Sequence, residues 1–180
     1  TTFFHLPEEK RERLLVAARA EFIRVPYADA SINRIIREAG IPRGSFYMYF
    51  TDKEDLFHYL MESYGELLIQ RMGERLTWNE GDLFAAALEL FDYMQANWHE
   101  GEFREMAAIL RRNRQLQPGL LFDRQGPCAM LDRLQDKIDL SRLDLRMETD
   151  LPDLFHLMMA AAAGSVVAAG KEGGPELARA

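Results

Sequence analysis

The segment that most constrains this chain of 180 residues is SINRIIREAGIPRGSFYMYF, residues 31–50. Ser31 can cap a helix because its hydroxyl accepts a hydrogen bond from a first-turn N–H. Apolar side chains then recur at helical spacing, and Gly40 follows the last of them, where a left-handed residue ends a helix most easily. Pro42 suits the start of a second helix because its φ is fixed and it has no N–H. The segment therefore predicts two helices joined by a tight turn, the second over residues 42–49.

A helix of about two turns is unstable alone, so we expect Ile41, Phe46 and Phe50 to pack inward. The polar side chains left outside are of the kinds that contact DNA. Arg43 and Tyr47 lie one helical turn apart on the same side, and hydroxyl groups bond phosphate oxygens. An ordinary helical hairpin with an amphipathic surface has the same spacing, so this pattern alone leaves both interpretations open.

The longer segment AGIPRGSFYMYFTDKEDL, residues 39–56, resembles the tetracycline-repressor (TetR) family of bacterial transcription regulators. The resemblance extends over residues 7–60. Ile36 stands where that family favours alanine, and Pro42 where it often has serine, so one hydroxyl that bonds phosphate is absent here. Lys53, at the start of the next helix, adds a mobile charge. The resemblance implies binding to double-stranded operator DNA, and we predict these contact residues: Ser31, Asn33, Arg43, Gly44, Ser45, Tyr47, Tyr49 and Lys53.

The charge of the chain is divided unequally along its length. Its formal net charge is −7, yet residues 1–50 carry eight Lys/Arg against six Asp/Glu, which gives +2, while residues 51–180 carry −9. Positive potential is thus confined to the N-terminal part, as expected if only that part meets phosphate. The acidic remainder argues against DNA wrapping around the whole molecule.

The rest of the chain has helical periodicity and no strand pattern. A Thr51-to-Glu54 capping box begins one long helix, residues 52–76, which would join the two parts of the molecule and carry any coupling between them. The predicted helices besides the central pair are 7–24, 52–76, 80–99, 102–114, 127–139 and 151–169. We therefore predict an all-α fold, with a three-helix DNA-binding domain over residues 1–51 and a helical effector-binding and dimerisation domain over residues 52–180.

The second part is rich in methionine and aromatic residues, which either form a plain core or line a pocket. The resemblance implies a small-molecule pocket there, and adaptable methionines suit an apolar effector. The predicted lining residues are Phe91, Met94, Trp98, Phe103, Met106 and Met158. No residue identifies the effector, no cofactor is implied, and His99 and His156 have no partner at metal-ligand spacing.

We expect the protein to form a dimer, because one short recognition helix with few charges binds DNA weakly. Two such helices, one helical turn of DNA apart, read a palindrome and combine their affinities. We expect residues 127–139 and 151–169 of each subunit to form a four-helix bundle, with the small residues 160–164 allowing close approach. The resemblance likewise implies a homodimer that pairs through its last helices.

Other classes of protein fit the sequence less well. An enzyme is disfavoured because no nucleophile–histidine pair, glycine-rich phosphate loop or HExxH pattern is present. A membrane span is disfavoured because the most apolar segment, residues 154–170, is shorter than the ~20 residues required and contains His156. With a single cysteine no internal disulfide can form, and the cytoplasm is the simplest location. The remaining alternative is a DNA-binding protein of the same fold that is controlled by a protein partner without a small-molecule ligand.

Overall fold

A computed structural model describes residues 7–97, 101–113 and 127–169, and within these ranges the chain is helical and contains no β-strand. The all-α prediction is confirmed. The helices are α1 (Glu8–Arg24), α2 (Ile32–Ala39), α3 (Arg43–Tyr47), α4 (Lys53–Trp78), α5 (Leu83–Asn97), α6 (Gly101–Arg112), α7 (Pro127–Asp132) and α8 (Asp150–Ala169). Short 3-10 turns occupy Tyr27–Asp29, Gln135–Lys137 and Leu140–Arg142.

The two central helices form a helix-turn-helix as predicted from residues 31–50. The Ser31 hydroxyl accepts a hydrogen bond from the Arg34 N–H at 3.4 Å, and Gly40 ends α2 with a left-handed φ of 64°. Pro42 lies one position outside α3, at its N-cap, so the helix is shorter than expected. The Phe46 side chain is fully buried beneath α3, which anchors this five-residue helix to the rest of the chain.

The long helix α4 begins one residue later than the predicted capping box. Asp52, and not Thr51, is its N-cap, with the carboxylate accepting from the Asp55 N–H at 2.8 Å. Asp55 in turn accepts from the Thr51 N–H at 3.0 Å. The prediction of Thr51 as cap was wrong because a carboxylate at the next position fills the same role and also favours the positive end of the helix dipole.

The predicted helix over residues 127–139 is instead α7 followed by the 3-10 turn Gln135–Lys137. A close approach between two segments explains the change. Gly81 has φ 82°, its carbonyl accepts from the Asp139 N–H at 2.9 Å, and an added Cβ there would stand 2.6 Å from that nitrogen. The left-handed backbone at Glu80 and Gly81 also delays the start of α5 until Asp82 caps it. Leu134 and Ile138 are nevertheless buried as their spacing predicted.

The buried apolar side chains form two clusters, and α4 contributes to both. The first cluster joins α1, α2 and α3, hereafter the head, to the first half of α4 and to α5 and α6, with Phe22, Phe46 and Phe57 at its centre. The second joins the other half of α4 to the start of α5, the segment 130–138 and Phe155 of α8. The head therefore packs directly against α4 and α6.

Candidate nucleic-acid interface and cavity

Three of the residues predicted to contact DNA meet on the exposed surface of the helix-turn-helix. The guanidinium of Arg43 donates to Asn33 Oδ1 at 3.2 Å and to the Tyr47 hydroxyl at 3.5 Å. It also lies 5.7 Å from the centre of the Tyr47 ring. All three side chains are exposed. Arg43, which begins α3, is thereby held on the exposed surface by two of the five N–H donors that a guanidinium carries.

The other predicted contact residues differ in how far they are exposed. Gly44 is exposed, and a Cβ added there would meet nothing within 4 Å, so the α3 backbone can be approached closely. Ser45 and Tyr49 are half-buried. The Ser31 hydroxyl is already engaged as the cap of α2. Gly44 therefore extends the exposed surface, whereas Ser31 has a structural role.

Lys53 is held within the chain and is not the mobile charge that the sequence suggested. Its ammonium donates to the carbonyls of Tyr27 at 2.6 Å, Ala28 at 3.0 Å and Ala30 at 3.1 Å. It also lies 4.6 Å from the centre of the Tyr27 ring. A lysine ammonium has three N–H donors, and all three are used here. Contact of Lys53 with a phosphate would require that it give up one of these bonds.

A buried glutamate that the sequence analysis missed fixes the start of α2. Glu21 is 3% exposed, and its carboxylate accepts from the Arg24 guanidinium at 2.9 and 2.8 Å and from the Ser31 N–H at 3.1 Å. Arg34 lies 3.3 Å away. Burial raises the pKa of the Glu21 carboxyl, but the hydrogen bonds and both arginine charges outweigh burial, so its pKa is lowered. Arg24 and Arg34 thus serve the packing of α1 against α2.

Between α4, α5, α6, α7 and α8 lies a cavity of about 430 Å³, within the size range of small-molecule sites. Its wall is apolar, with Tyr64, Phe84, Phe91 and Phe155 contributing rings. Seven of the nine methionines of the chain line it: Met61, Met72, Met94, Met106, Met130, Met158 and Met159. Such side chains adapt their shape to what they contact.

Four of the six residues predicted to bind a ligand line this cavity, namely Phe91, Met94, Met106 and Met158. Phe103 does not. It is buried in the first apolar cluster, where its ring packs edge-on against Tyr93 with centroids 5.6 Å apart. Trp98 lies outside the described residues. Helical spacing placed Phe103 correctly in the interior, but spacing alone does not distinguish a core position from a cavity wall.

Charged side chains reach the cavity at one place, where Glu62, Glu66 and Arg133 contribute to its lining. Arg133 and Glu66 form a two-bond ion pair, with Nη2 donating to Oε2 at 2.8 Å. The hydrogen bond from Arg133 lowers the pKa of the Glu66 carboxyl. This pair joins α4 to the residue that follows α7. The cavity is therefore apolar within and carries an ion pair at its margin.

The exposed residues of α8 include small and apolar side chains beside Asp153 and His156. Leu157 is 69% exposed, and Ala160 and Gly164 are exposed beside it. Ala162, within the segment predicted to form a dimer seam, instead lines the cavity. No described helix is both long and apolar enough to cross a bilayer. The described residues also contain no group of three His, Cys, Asp or Glu side chains placed to hold a metal ion.

Comparison with known proteins agrees with the helix-turn-helix geometry. The family model described as bacterial regulatory proteins, tetR family, matches residues 14–60, which include α2, α3 and the start of α4. Residues 14–60 thus resemble the tetR family. A curated relative, the uncharacterized HTH-type transcriptional regulator YdgC of Bacillus subtilis (strain 168), is 41% identical over 56 residues, which is 31% of this chain and 29% of that protein. The match thus spans less than a third of the relative.

Solved structures extend the likeness beyond the head. A putative transcriptional regulator, SCO4942 from Streptomyces coelicolor, is 25% identical with a TM-score of 0.52, covering 93% of this chain and 89% of that one. The transcriptional regulator FadR from Bacillus subtilis, solved in complex with stearoyl-CoA, is 18% identical with a TM-score of 0.61, covering 87% and 85%. The likeness in fold therefore extends to the helices around the cavity.

Proposed function

We propose that this protein is a homodimeric transcription repressor of the tetR family, released from a palindromic operator in the cytoplasm by a small apolar effector. One observation carries the proposal: a single chain combines an exposed Arg43–Asn33–Tyr47 group on a helix-turn-helix with a methionine-lined cavity of about 430 Å³. The helices α4 and α6, which wall the cavity, also pack against the head. Neither an enzyme nor a passive DNA-coating protein needs that combination.

On the DNA side, Arg43 is the residue best placed to reach a base edge. Arginine pairs with two acceptors of guanine in the major groove, and such a pair discriminates by about 1–3 kcal/mol. Asn33 and Tyr47, which hold the guanidinium, also bear groups that bond phosphate or a base edge. The open backbone at Gly44 allows α3 to approach the groove closely.

On the effector side, the lining supports an apolar molecule. Apolar side chains enclose most of the cavity, so polar groups of a ligand would find charged partners only near the Glu66–Arg133 pair. The stearoyl-CoA in FadR belongs to that protein, and the likeness at 18% identity concerns the fold alone. The effector releases DNA only if it binds the non-binding conformation more tightly than the DNA-binding one.

The test of DNA binding begins with selection of duplexes from a random library by the purified chain. We expect enrichment of a palindrome. Arg43→Ala is expected to weaken binding to it by about 1–3 kcal/mol and to relax the preference at particular base pairs. Met48→Ala, a change at a neighbouring exposed position, is the control and should leave both unchanged. Selection that enriches no sequence would contradict the proposal.

The test of the effector is a thermal-shift screen of apolar metabolites, followed by DNA-release assays on compounds that raise the Tm. Ala87→Phe, which puts a ring into the cavity, should abolish the shift, whereas Ala85→Phe, on α5 but outside the lining, should not. A chain that binds DNA tightly and responds to no compound would favour control by a protein partner in place of a ligand.

A further inference from the structure

The methionines of the chain lie either on the wall of the cavity or on the surface. All nine belong to the described residues, and each of the seven that are not exposed lines the cavity. The other two, Met48 and Met147, are 61% and 68% exposed. The buried core of the head contains no methionine, since leucine, isoleucine, phenylalanine and alanine fill it. Buried methionine therefore occurs where a cavity lies against it and not in the densely packed core of the head.

Thioether side chains have two properties that suit a cavity wall. The first is that they adapt their shape to a ligand. The second is that the sulfur can be oxidised to the sulfoxide, which converts a flexible apolar side chain into a polar one, and reductases reverse the change. In a densely packed core the sulfur is shielded from oxidants. A cavity removes that shielding on one side.

Two of the cavity methionines, Met158 and Met159 of α8, are half-buried, whereas the other five are 4–7% exposed. Ala161, two positions further along the helix, lines the cavity and is exposed. On α5, which packs against α8, Phe84 and Leu88 also line the cavity and are 51% and 66% exposed. The wall between α5 and α8 is therefore in contact with solvent, and these two methionines belong to that wall.

The charge around the cavity favours an uncharged oxidant. Residues 51–180 carry a net charge of −9, which repels anions, and the wall of the cavity is apolar. Hypochlorous acid is small and uncharged in its protonated form, so it enters such a space without the cost of burying a charge. In the net reaction the sulfur gives up two electrons and gains the oxygen, the O–Cl bond breaks, and chloride and a proton are released.

We propose that Met158 and Met159 form an oxidation site through which the cavity responds to hypochlorous acid as well as to an effector. The effect on DNA binding rests on the proposed function, whereas the chemistry of the site does not. Both side chains pack against an apolar cluster that includes Phe155, which offers no donor to a new sulfoxide oxygen. An unsatisfied acceptor is costly, so oxidation disfavours the packing of α8 against this cluster. A loss of DNA affinity follows if the DNA-binding conformation requires that packing.

The experiment treats the full chain with hypochlorous acid in stoichiometric steps, quenches it with free methionine, and maps the sulfoxides by mass spectrometry. Every protein compared carries Cys128→Ala, so that the single thiol does not compete. We expect Met158 and Met159 to be oxidised in the folded chain, after the exposed Met48 and Met147 and before the five buried methionines. Their oxidation should lower the Tm by about 2–4 °C or more. It should also weaken binding to the selected duplex about tenfold, and methionine sulfoxide reductases should restore both.

Two double variants distinguish the site from general damage, each compared with its own untreated sample. Met158→Leu with Met159→Leu keeps the apolar volume but removes both sulfur atoms, so the same dose should no longer change its Tm or its duplex affinity. Met48→Leu with Met147→Leu is the matched control, because it removes two sulfur atoms outside the cavity. That control should respond as the parent protein does. The single variants at 158 and 159 replace the double variant if it folds poorly, and each should lose part of the response.

Three results would overturn the proposal. One is protection of Met158 and Met159 until the chain unfolds. Another is oxidation of both that leaves the duplex affinity unchanged, and the third is an equal response of the two double variants. If no duplex is selected, the proposed function fails, while the sulfoxide map and the Tm still decide whether the oxidation site exists.

Discussion

At the scale of single residues, side chains of the same type differ in role according to which partners the fold brings to them. Arg43 is exposed and held by Asn33 and Tyr47, whereas Arg34 is bound to the buried Glu21. Lys53 resembles a phosphate-binding lysine in sequence, yet it donates to three carbonyls of the turn between α1 and α2. Charge alone therefore does not identify the DNA-contacting cations.

The position of Lys53 leads to a stability prediction. Lys53→Met should lower the free energy of unfolding by about 1–3 kcal/mol, because three carbonyls lose a charged donor. Lys10→Met, at an exposed lysine of α1, should change it by less than about 0.5 kcal/mol. Urea denaturation followed by circular dichroism measures both. Equal stability of the two variants would show that the ammonium does not clamp the turn in solution.

Glu21 leads to a prediction about pH. Its pKa is lowered in the folded chain, so the unfolded chain binds more protons as the pH falls. The stability that Glu21 contributes is therefore present above its ordinary pKa of 4.5 and is lost as the pH falls through the lower folded value. Glu21→Gln should be less stable than the wild type at pH 7, with a difference that shrinks in acid.

Urea titrations of Glu21→Gln at a series of pH values would measure this difference. Glu8→Gln, at an exposed glutamate that begins the same helix, is the control for the general effect of removing one negative charge. A difference between wild type and Glu21→Gln that stays constant from neutral pH into the acid range would show that the carboxylate has the same pKa in both states.

At the scale of elements, the sequence predicted the helix ends that depend on neighbouring residues in the chain. The Ser31 hydroxyl and the backbone preferences of Gly40 and Pro42 set the ends of α2 and α3, and the helix-turn-helix followed from them. The segment after α7 was predicted less well, because its 3-10 turns depend on a contact between Asp139 and Gly81. Gly81 lies more than fifty positions away along the chain. The N-cap of α4 shifted by one residue because two neighbouring side chains suit the same role.

The same distinction applies to the candidate sites. Periodicity identified Phe91, Met94, Met106 and Met158 as inward-facing, and these residues line the cavity. It did not separate Phe103, which is core, because both environments require apolar side chains at helical spacing. The contacts of Lys53 were beyond sequence reasoning, since its partners lie 23–26 residues away along the chain. Pairings of that kind depend on how α4 packs against the head.

At the scale of the whole molecule, the proposed mechanism has three parts, which are the head, the cavity and the exposed face of α8. The helices α4 and α6 connect the head to the cavity. The head presents the short helix α3, the cavity lies between α4 and α8, and Leu157, Ala160 and Gly164 are exposed on the outer side of α8. A helix as short as α3 can offer few base contacts, so we expect tight binding to require two heads held at a fixed spacing. We expect the exposed face of α8 to hold them, because the small side chains at Ala160 and Gly164 would let two helices approach closely.

This arrangement predicts that Leu157→Arg prevents dimer formation. Leu157 is 69% exposed beside Ala160 and Gly164, and a long charged side chain there would have to be buried between two copies of α8. Met147→Arg is the matched control, because Met147 is 68% exposed but lies outside α8. Sedimentation at micromolar concentration should show a dimer for the wild type and for Met147→Arg and a monomer for Leu157→Arg.

The monomer should lose most of its affinity for the palindrome, because each head would then bind its half-site alone. A wild-type protein that is monomeric and binds the palindrome as tightly as any variant would contradict both the dimer interface on α8 and the requirement for a dimer.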